Sequence, residues 1–323
     1  MTASLLNENA KVIGVDVSGV TLRAAVVSND GKVEERVEYP LERDDVGAQI
    51  ARAVAELQAL SPDVTAVGVG IPGLVDQTTD RVLVSTDLPA LVGTNLHAQL
   101  IEATGLRVEL ENDANAGAYG EYKVGAGRGA RDMFYVTIGM GIGGAIILDG
   151  KPWLGASGFA GEFGHITIDT EGVECVCGNT GCLETVASAP NIVRRTHERL
   201  DRDSTSSLSK LSSNIDFTAA DIAHEALAGD DFALMMIERT GKYIGAAIAS
   251  VINLLNLERI VLGGDVMEAG DLILKAIIHE AGRRAFPPSF EATQIVTSAL
   301  GPDAVFIGAA LLARDSSVLV GGA

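Results

Sequence analysis

Short β-branched apolar runs alternate with stretches of helical periodicity along most of this 323-residue chain. Val12–Val17 is a run of the first kind, ending in turn residues, and predicts a buried strand. Leu22–Val27 predicts a second, closed by the turn chemistry of Asn29, Asp30 and Gly31. Val46–Leu60 puts Ile50, Val54 and Leu57 on one helical face. Val64–Val69 predicts a strand that runs into the turn Ile71-Pro72-Gly73, followed by a helix over Leu96–Ala103 that stops near Gly105. A strand over Val108–Leu110 then leads into a helix over Asp113–Val124, and Met133–Ile138 and Ala145–Leu148 predict two strands around a glycine loop. From Ala189 onward helices dominate: Asn191–Leu200, Ala219–Leu227, Asp231–Leu255, Ala269–Ala285 and Ala304–Ala313, with strands at Ile260–Leu262 and Gln294–Ser298. Asp201–Asn214, rich in Ser and Asp, predicts a surface insertion.

One unit occurs twice. Val12–Lys32 and Phe134–Lys151 both read apolar strand, glycine-bearing turn, apolar strand, then Asp-Gly-Lys. Such a repeat predicts duplicated halves with a ligand between them. The length suits two domains, which we expect at 1–111 plus 304–323 and at 112–303. The formal charge of −19 disfavours nucleic acid and anionic lipid as partners. Met1–Ala10 has no basic residue and no apolar core, so the expected compartment is a reducing cytoplasm, with no membrane span.

Glycine is the compositional outlier, at 37 residues. Gly139-Met140-Gly141-Ile142-Gly143-Gly144 and Gly68-Val69-Gly70-Ile71-Pro72-Gly73 both satisfy G-x-G-x-x-G. A strand follows the first and a proline interrupts the second, so neither opens a helix as a dinucleotide fingerprint must. The first is expected to be a loop between strands whose N–H groups close on phosphate oxygens, where a Cβ would intrude.

Glu111-Asn112-Asp113 ends a strand and starts a helix, at the strand end where α/β folds place ligands. Asp113 there could deprotonate a substrate hydroxyl while Asn112 orients the substrate. The same residues could simply cap the helix, and on spacing alone capping is the simpler reading. The three cysteines are Cys175, Cys177 and Cys182, with Gly178 and Gly181 letting the chain fold back. Three thiolates leave a tetrahedral metal one ligand short, and His165 is the nearest histidine. A structural zinc is the specific expectation and three inert thiols the plainer one. Glu162 and Glu184 flank this segment, and two carboxylates with an amide and an imidazole suit the hydroxyls of a sugar.

ENDANAGAYGEY, GMGIGGAIILDG, GFAGEFGHI and ECVCGNTGCLE, in this order, resemble the ROK family of repressors, open reading frames and sugar kinases, from about Val12 to Ala313. The resemblance implies an actin/hexokinase-like two-domain α/β fold, with a ribonuclease-H-like sheet in each domain and a cleft between them. It implies ATP- and Mg2+-dependent phosphorylation of a hexose, of the glucokinase type, with Asp113 as base. Gly73, Asp87, Asn112, Asp113, Glu162, His165 and Glu184 would hold the sugar. His165, Cys175, Cys177 and Cys182 would bind zinc. Asp16, Ser18, Gly19, Thr21, Gly139, Gly141, Gly143, Gly144, Gly263 and Gly264 would surround the nucleotide. Homo-oligomers, dimers or tetramers, are expected. A repressor is not, because only about ten residues precede Val12, too few for a winged helix–turn–helix. Five positions depart from the family pattern: Val20 and Met140 stand where threonines are usual, Ala145 where the second loop's last glycine is, Asp265 where a third glycine follows Gly263 and Gly264, and Asp87 where Asn is. Loss of two hydroxyls that face phosphate could slow transfer by about 10²–10⁴-fold. The alternative is a sugar-binding sensor that no longer transfers phosphate.

Overall fold

The computed structural model describes residues 11–76, 79–200, 205–209 and 217–319. The first sheet contains β1 (Lys11–Ser18), β2 (Thr21–Val27), β3 (Val33–Pro40), β4 (Val64–Ile71) and β7 (Arg107–Asn112), in the order β3-β2-β1-β4-β7. The second contains β8 (Met133–Ile138), β9 (Ile142–Leu148), β10 (Lys151–Pro152), β11 (Arg259–Gly263) and β12 (Gln294–Thr297), in the order β10-β9-β8-β11-β12. In each, the first three strands run antiparallel and the last two lie parallel to the first. The repeat seen in the sequence is therefore a repeat of whole sheets. A small hairpin, β5 (Leu74–Asp76) with β6 (Arg81–Val84), branches off after β4.

The helices are α1 (Val46–Leu60), α2 (Leu96–Thr104), α3 (Asp113–Val124), α4 (Glu184–Ala187), α5 (Ala189–Leu200), α6 (Ala219–Leu227), α7 (Asp231–Leu255), α8 (Asp271–Arg284), α9 (Pro287–Ala292) and α10 (Ala304–Leu319). Apolar runs without alternation imply strands covered on both faces, and β1 is such a strand. Ile13, Val15 and Val17 pack with Ile50, Val54 and Leu57 of α1 and Leu96 and Leu100 of α2. Val12, with Ala25 and Val27 of β2 and Ala66 of β4, packs on the other side against Phe306, Ile307 and Ala310 of α10. Glycine lets α10 lie directly on the sheet. A Cβ at Gly14 would fall 1.8 Å from the Phe306 carbonyl oxygen, and one at Gly68 1.9 Å from that of Ala309. The core around the second sheet joins Val136, Ile138, Ile260 and Leu262 to Ile244, Ile248 and Ile252 of α7 and to Ile273 and Ile277 of α8.

Helices expected at Val46–Leu60, Asp113–Val124, Ala219–Leu227 and Asp231–Leu255 have those limits in the structure. β3, β5, β6, β10, α4 and α9 had no counterpart in the sequence reading. β3 (VEERVEYP) is a polar, mostly exposed edge strand whose partner, β2, supplies its register. β9 begins at Ile142, so the expected loop is only Gly139–Gly141, and Gly143 and Gly144 are strand residues. The helix expected from Ala269 begins at Asp271, after a 3-10 turn over Asp265–Ala269. The insertion expected at Asp201–Asn214 lies mostly outside the described residues, and Met1–Ala10 wholly so. Among the described residues no helix is long and apolar enough to cross a membrane.

Candidate active site

The carboxyl ends of β1, β4 and β7 face the β8–β9 hairpin across a cleft of about 640 Å3, a size usual for ligand sites. Its lining includes Asp16, Ser18, Gly19, Thr21, Gly73, Asp87, Asn112, Asp113, Gly139, Gly141, Gly143, Gly144, Glu162, His165, Cys177, Glu184 and Gly264, all expected from sequence. One expected nucleotide residue is not there. Gly263, the buried last residue of β11, has no place in the lining, and a Cβ on it would meet the Tyr135 hydroxyl at 2.9 Å. Its glycine serves packing.

Of the two readings that spacing left open, capping falls to Asn112. Asn112 is the N-cap of α3: its Oδ1 accepts from Asn115 N–H at 3.1 Å, and its Nδ2 donates to the Gly73 carbonyl at 3.0 Å. Asp113 follows at the first helical position, where its Oδ1 accepts from Ala114 N–H at 2.8 Å. Burial, and after it the negative charge of Asp16, raise the Asp113 carboxyl to about 7. Gly73, at φ +124°, has no room for a Cβ, which would lie 2.2 Å from the Val84 carbonyl oxygen. The β5–β6 hairpin thus folds against the start of α3. Beside it Ser85 Oγ donates to the Pro72 carbonyl, and Asp87 lies exposed on the rim.

His165 joins the cleft to the cysteines. Its Nδ1 lies 3.7 Å from Cys175 Sγ and its Nε2 3.8 Å from a Glu162 oxygen. Cys177 and Cys182 have their sulfurs 3.7 Å apart, and all four ligand atoms lie within 4.8 Å of one another. A tetrahedral ion with bonds of about 2.3 Å needs sulfur–sulfur edges of about 3.8 Å, so the four side chains fit such an ion. Burial and the adjoining thiols push Cys182 up to about 12, a crowding that a shared cation relieves. Burial also raises Glu162. Glu184, at the start of α4, accepts from Ile142 N–H at 2.8 Å and so braces the glycine hairpin.

Elsewhere in the cleft two hairpin tips meet. A Cβ on Gly19 would lie 3.3 Å from Met140 Cγ, so the Met140 side chain reaches across to the β1–β2 turn. Val20 and Met140 are 65% and 56% exposed, apolar side chains at both tips. The glycines of the β8–β9 hairpin have separate reasons. A Cβ on Gly141 would press on Glu184 Oε2 (2.9 Å), one on Gly143 on the Ala114 Cβ (2.8 Å), and one on Gly144 on the Gly161 carbonyl oxygen (2.7 Å). Gly264, at φ +89°, would strike the Ile138 backbone at 2.4 Å. Sequence reasoning missed Arg23, Ser85, Thr86, Tyr135 and Thr137 of the lining. For Arg23 a signal existed, because counting back across the Ser18–Thr21 turn pairs it with Asp16.

Two duplicated sheets with a ligand cleft between them define the actin/hexokinase-like two-domain fold. The chain belongs to the ROK family, which residues 12–316 match. It is 37% identical over 318 residues to the glucokinase of Halalkalibacterium halodurans, covering 94% of each chain. Among solved structures it is similar to a ROK family glucokinase from Streptomyces griseus in complex with glucose and AMPPNP (32% identity, TM-score 0.87, 95% of this chain and 100% of that one). It is also similar to a ROK family transcriptional regulator, a homolog of the E. coli MLC protein (30% identity, TM-score 0.85, 97% of this chain and 81% of that one).

Proposed function

We propose that this protein phosphorylates glucose, or a hexose closely like it, with ATP as donor. The protein is a sugar kinase, a phosphotransferase acting on an alcohol group. One observation carries this reading: the Asp113 carboxyl, raised to about 7, stands in the cleft between the sugar-suited residues and the two glycine hairpins. A base of that strength is half ionised near neutrality and can take the proton of a sugar hydroxyl as it attacks the γ-phosphate. Asn112, Glu162, His165 and Glu184, with Asp87 at the rim, would bind the other hydroxyls. Asp16 is fully buried with its Oδ1 unpartnered, which fits a cation held through water at the donor phosphates. Mg2+, when bound, neutralises charge there. Zinc is proposed for His165, Cys175, Cys177 and Cys182, where it would fix the His165 ring so that Nε2 faces the sugar.

The tips at Val20 and Met140 offer no hydroxyl to phosphate oxygens, and we propose that transfer is slower than in a chain with threonine at both. The division into 1–111 plus 304–323 and 112–303 is proposed on the two sheets and on the return of α10 to the first of them. A cytoplasmic homo-oligomer is part of the same proposal. Coupled detection of ADP release over a hexose panel tests the activity. Turnover above that of Asp113→Ala with glucose supports it, and its absence with every sugar leaves the sensor reading.

A further inference from the structure

Six carboxylates line the cleft: Asp16, Asp87, Asp113, Glu162, Glu184 and Asp265. A nucleoside triphosphate brings about four more negative charges into the same space. Among the lining residues only Arg23 and His165 can carry positive charge, and His165 has its Nδ1 directed at the thiols. Arg23 is thus the one fixed cation of the lining. It stands on β2 directly opposite Asp16 of β1. Its Nη2 donates to Asp16 Oδ2 at 2.6 Å and, at 3.5 Å, to Ser18 Oγ. The pair has spare capacity on both sides, because Arg23 Nε and Asp16 Oδ1 are each buried without a partner. Buried polar atoms are almost always satisfied, and an exception calls for a ligand or another cause. A guanidinium has five donors in a planar fork suited to phosphate, so the bond to Asp16 leaves it able to bind a second anion.

We infer that Arg23 is a catalytic residue of donor binding and phosphoryl transfer, contacting the terminal phosphates of the triphosphate from the β1–β2 hairpin, where Val20 and Met140 supply no hydroxyl. This rests on the kinase reading. Asp16 holds the guanidinium in one orientation, and Arg23 in turn keeps charge on a carboxylate that burial would otherwise neutralise. When the donor enters, Arg23 sets a positive charge against its phosphates in a cleft otherwise lined by carboxylates.

Three variants test it: Arg23→Lys, Arg23→Ala, and Arg23→Met combined with Asp16→Asn, which leaves no unpaired buried charge. The readouts are kcat, KM for glucose and for ATP, AMPPNP and glucose affinity by calorimetry, and melting temperature. For Arg23→Ala we expect kcat/KM for ATP to fall about 100-fold and AMPPNP affinity about tenfold, losses in the range of charge-assisted hydrogen bonds. Glucose affinity should stay within about threefold, since the sugar residues lie on other elements. Arg23→Lys keeps the charge and loses the fork, so it should melt like the wild type yet lose about tenfold in kcat. ATP kinetics and AMPPNP affinity unchanged in Arg23→Ala, or a loss of glucose affinity and melting temperature in step with activity, would overturn the assignment. If the wild type transfers nothing to any sugar, the kinase reading fails by itself, and AMPPNP affinity alone then decides for or against Arg23.

Discussion

The two ends of the cleft are built differently. At the proposed acceptor end three side chains are tied to a second element: Asn112 to Gly73, Glu184 to the glycine hairpin, and His165 to the thiols. At the donor end the backbone turns are kept while two apolar side chains stand exposed at the tips. A sugar presents several hydroxyls whose geometry must be matched all round, which cross-braced side chains do well. A polyphosphate can be held largely by backbone N–H groups and charge, which tolerate a change of tip residue so long as the glycines remain. The acceptor end is therefore the stricter of the two.

The sharpest way to break this contrast is at the residue both ends share. Asp113→Ala should lower kcat about 10³-fold or more while glucose affinity changes little, as kinetics and calorimetry together would reveal. With the carboxyl at about 7, kcat should rise through that pH and level off above it. Stability moves the other way. The native carboxyl, raised above its usual 3.8, holds a proton that the unfolded chain has released between about pH 4 and 7. Its contribution to stability is thus largest in acid and is lost as pH rises through that window, and thermal melts of Asp113→Asn should show a shallower decline.

Chelation of the proposed zinc should act next most strongly, and at the acceptor end. We expect the melting temperature to fall by roughly 5 °C or more and glucose affinity roughly tenfold, with AMPPNP affinity nearly unchanged. Equal losses for sugar and nucleotide would mean that the ends are not separately held. At the donor end, Val20→Thr with Met140→Thr should raise kcat roughly tenfold at unchanged KM for glucose. No gain would mean that the tips are already compensated. The smallest effect belongs to Arg43, which donates to the Asp87 carbonyl at 2.7 Å and the Gly19 carbonyl at 2.5 Å and so spans the two ends on the rim. Arg43→Ala should cost about threefold in kcat/KM for both substrates, as exposed contacts usually do.

The sequence made the acceptor end legible because its residues come in compact runs. Glu162 and His165 share one turn, and the cysteines span eight positions, so spacing alone brings them together. The donor end was legible only in part. Arg23 escaped notice because its partner lies across a hairpin, and Tyr135 and Thr137 because the second sheet's register sets where they point. Gly263 lies outside the cleft lining for a related reason. In one dimension a glycine beside Gly264 resembles a phosphate contact, whereas the fold uses it to admit the Tyr135 hydroxyl. β3 was invisible because an edge strand can be almost wholly polar.

The glycines under α10 carry one more consequence. Gly14 and Gly68 admit the Phe306 and Ala309 carbonyls, and Gly308 of α10 meets α3 so closely that a Cβ would lie 1.7 Å from the Ala116 carbonyl oxygen. These contacts run backbone to backbone, with no side chain to repack if one of them changes. A deep mutational scan of this protein should therefore find some of its least tolerant positions along this seam, touching no ligand. Gly68 also opens the second G-x-G-x-x-G match, so a pattern that imitates a dinucleotide fingerprint is here, in part, the imprint of a helix.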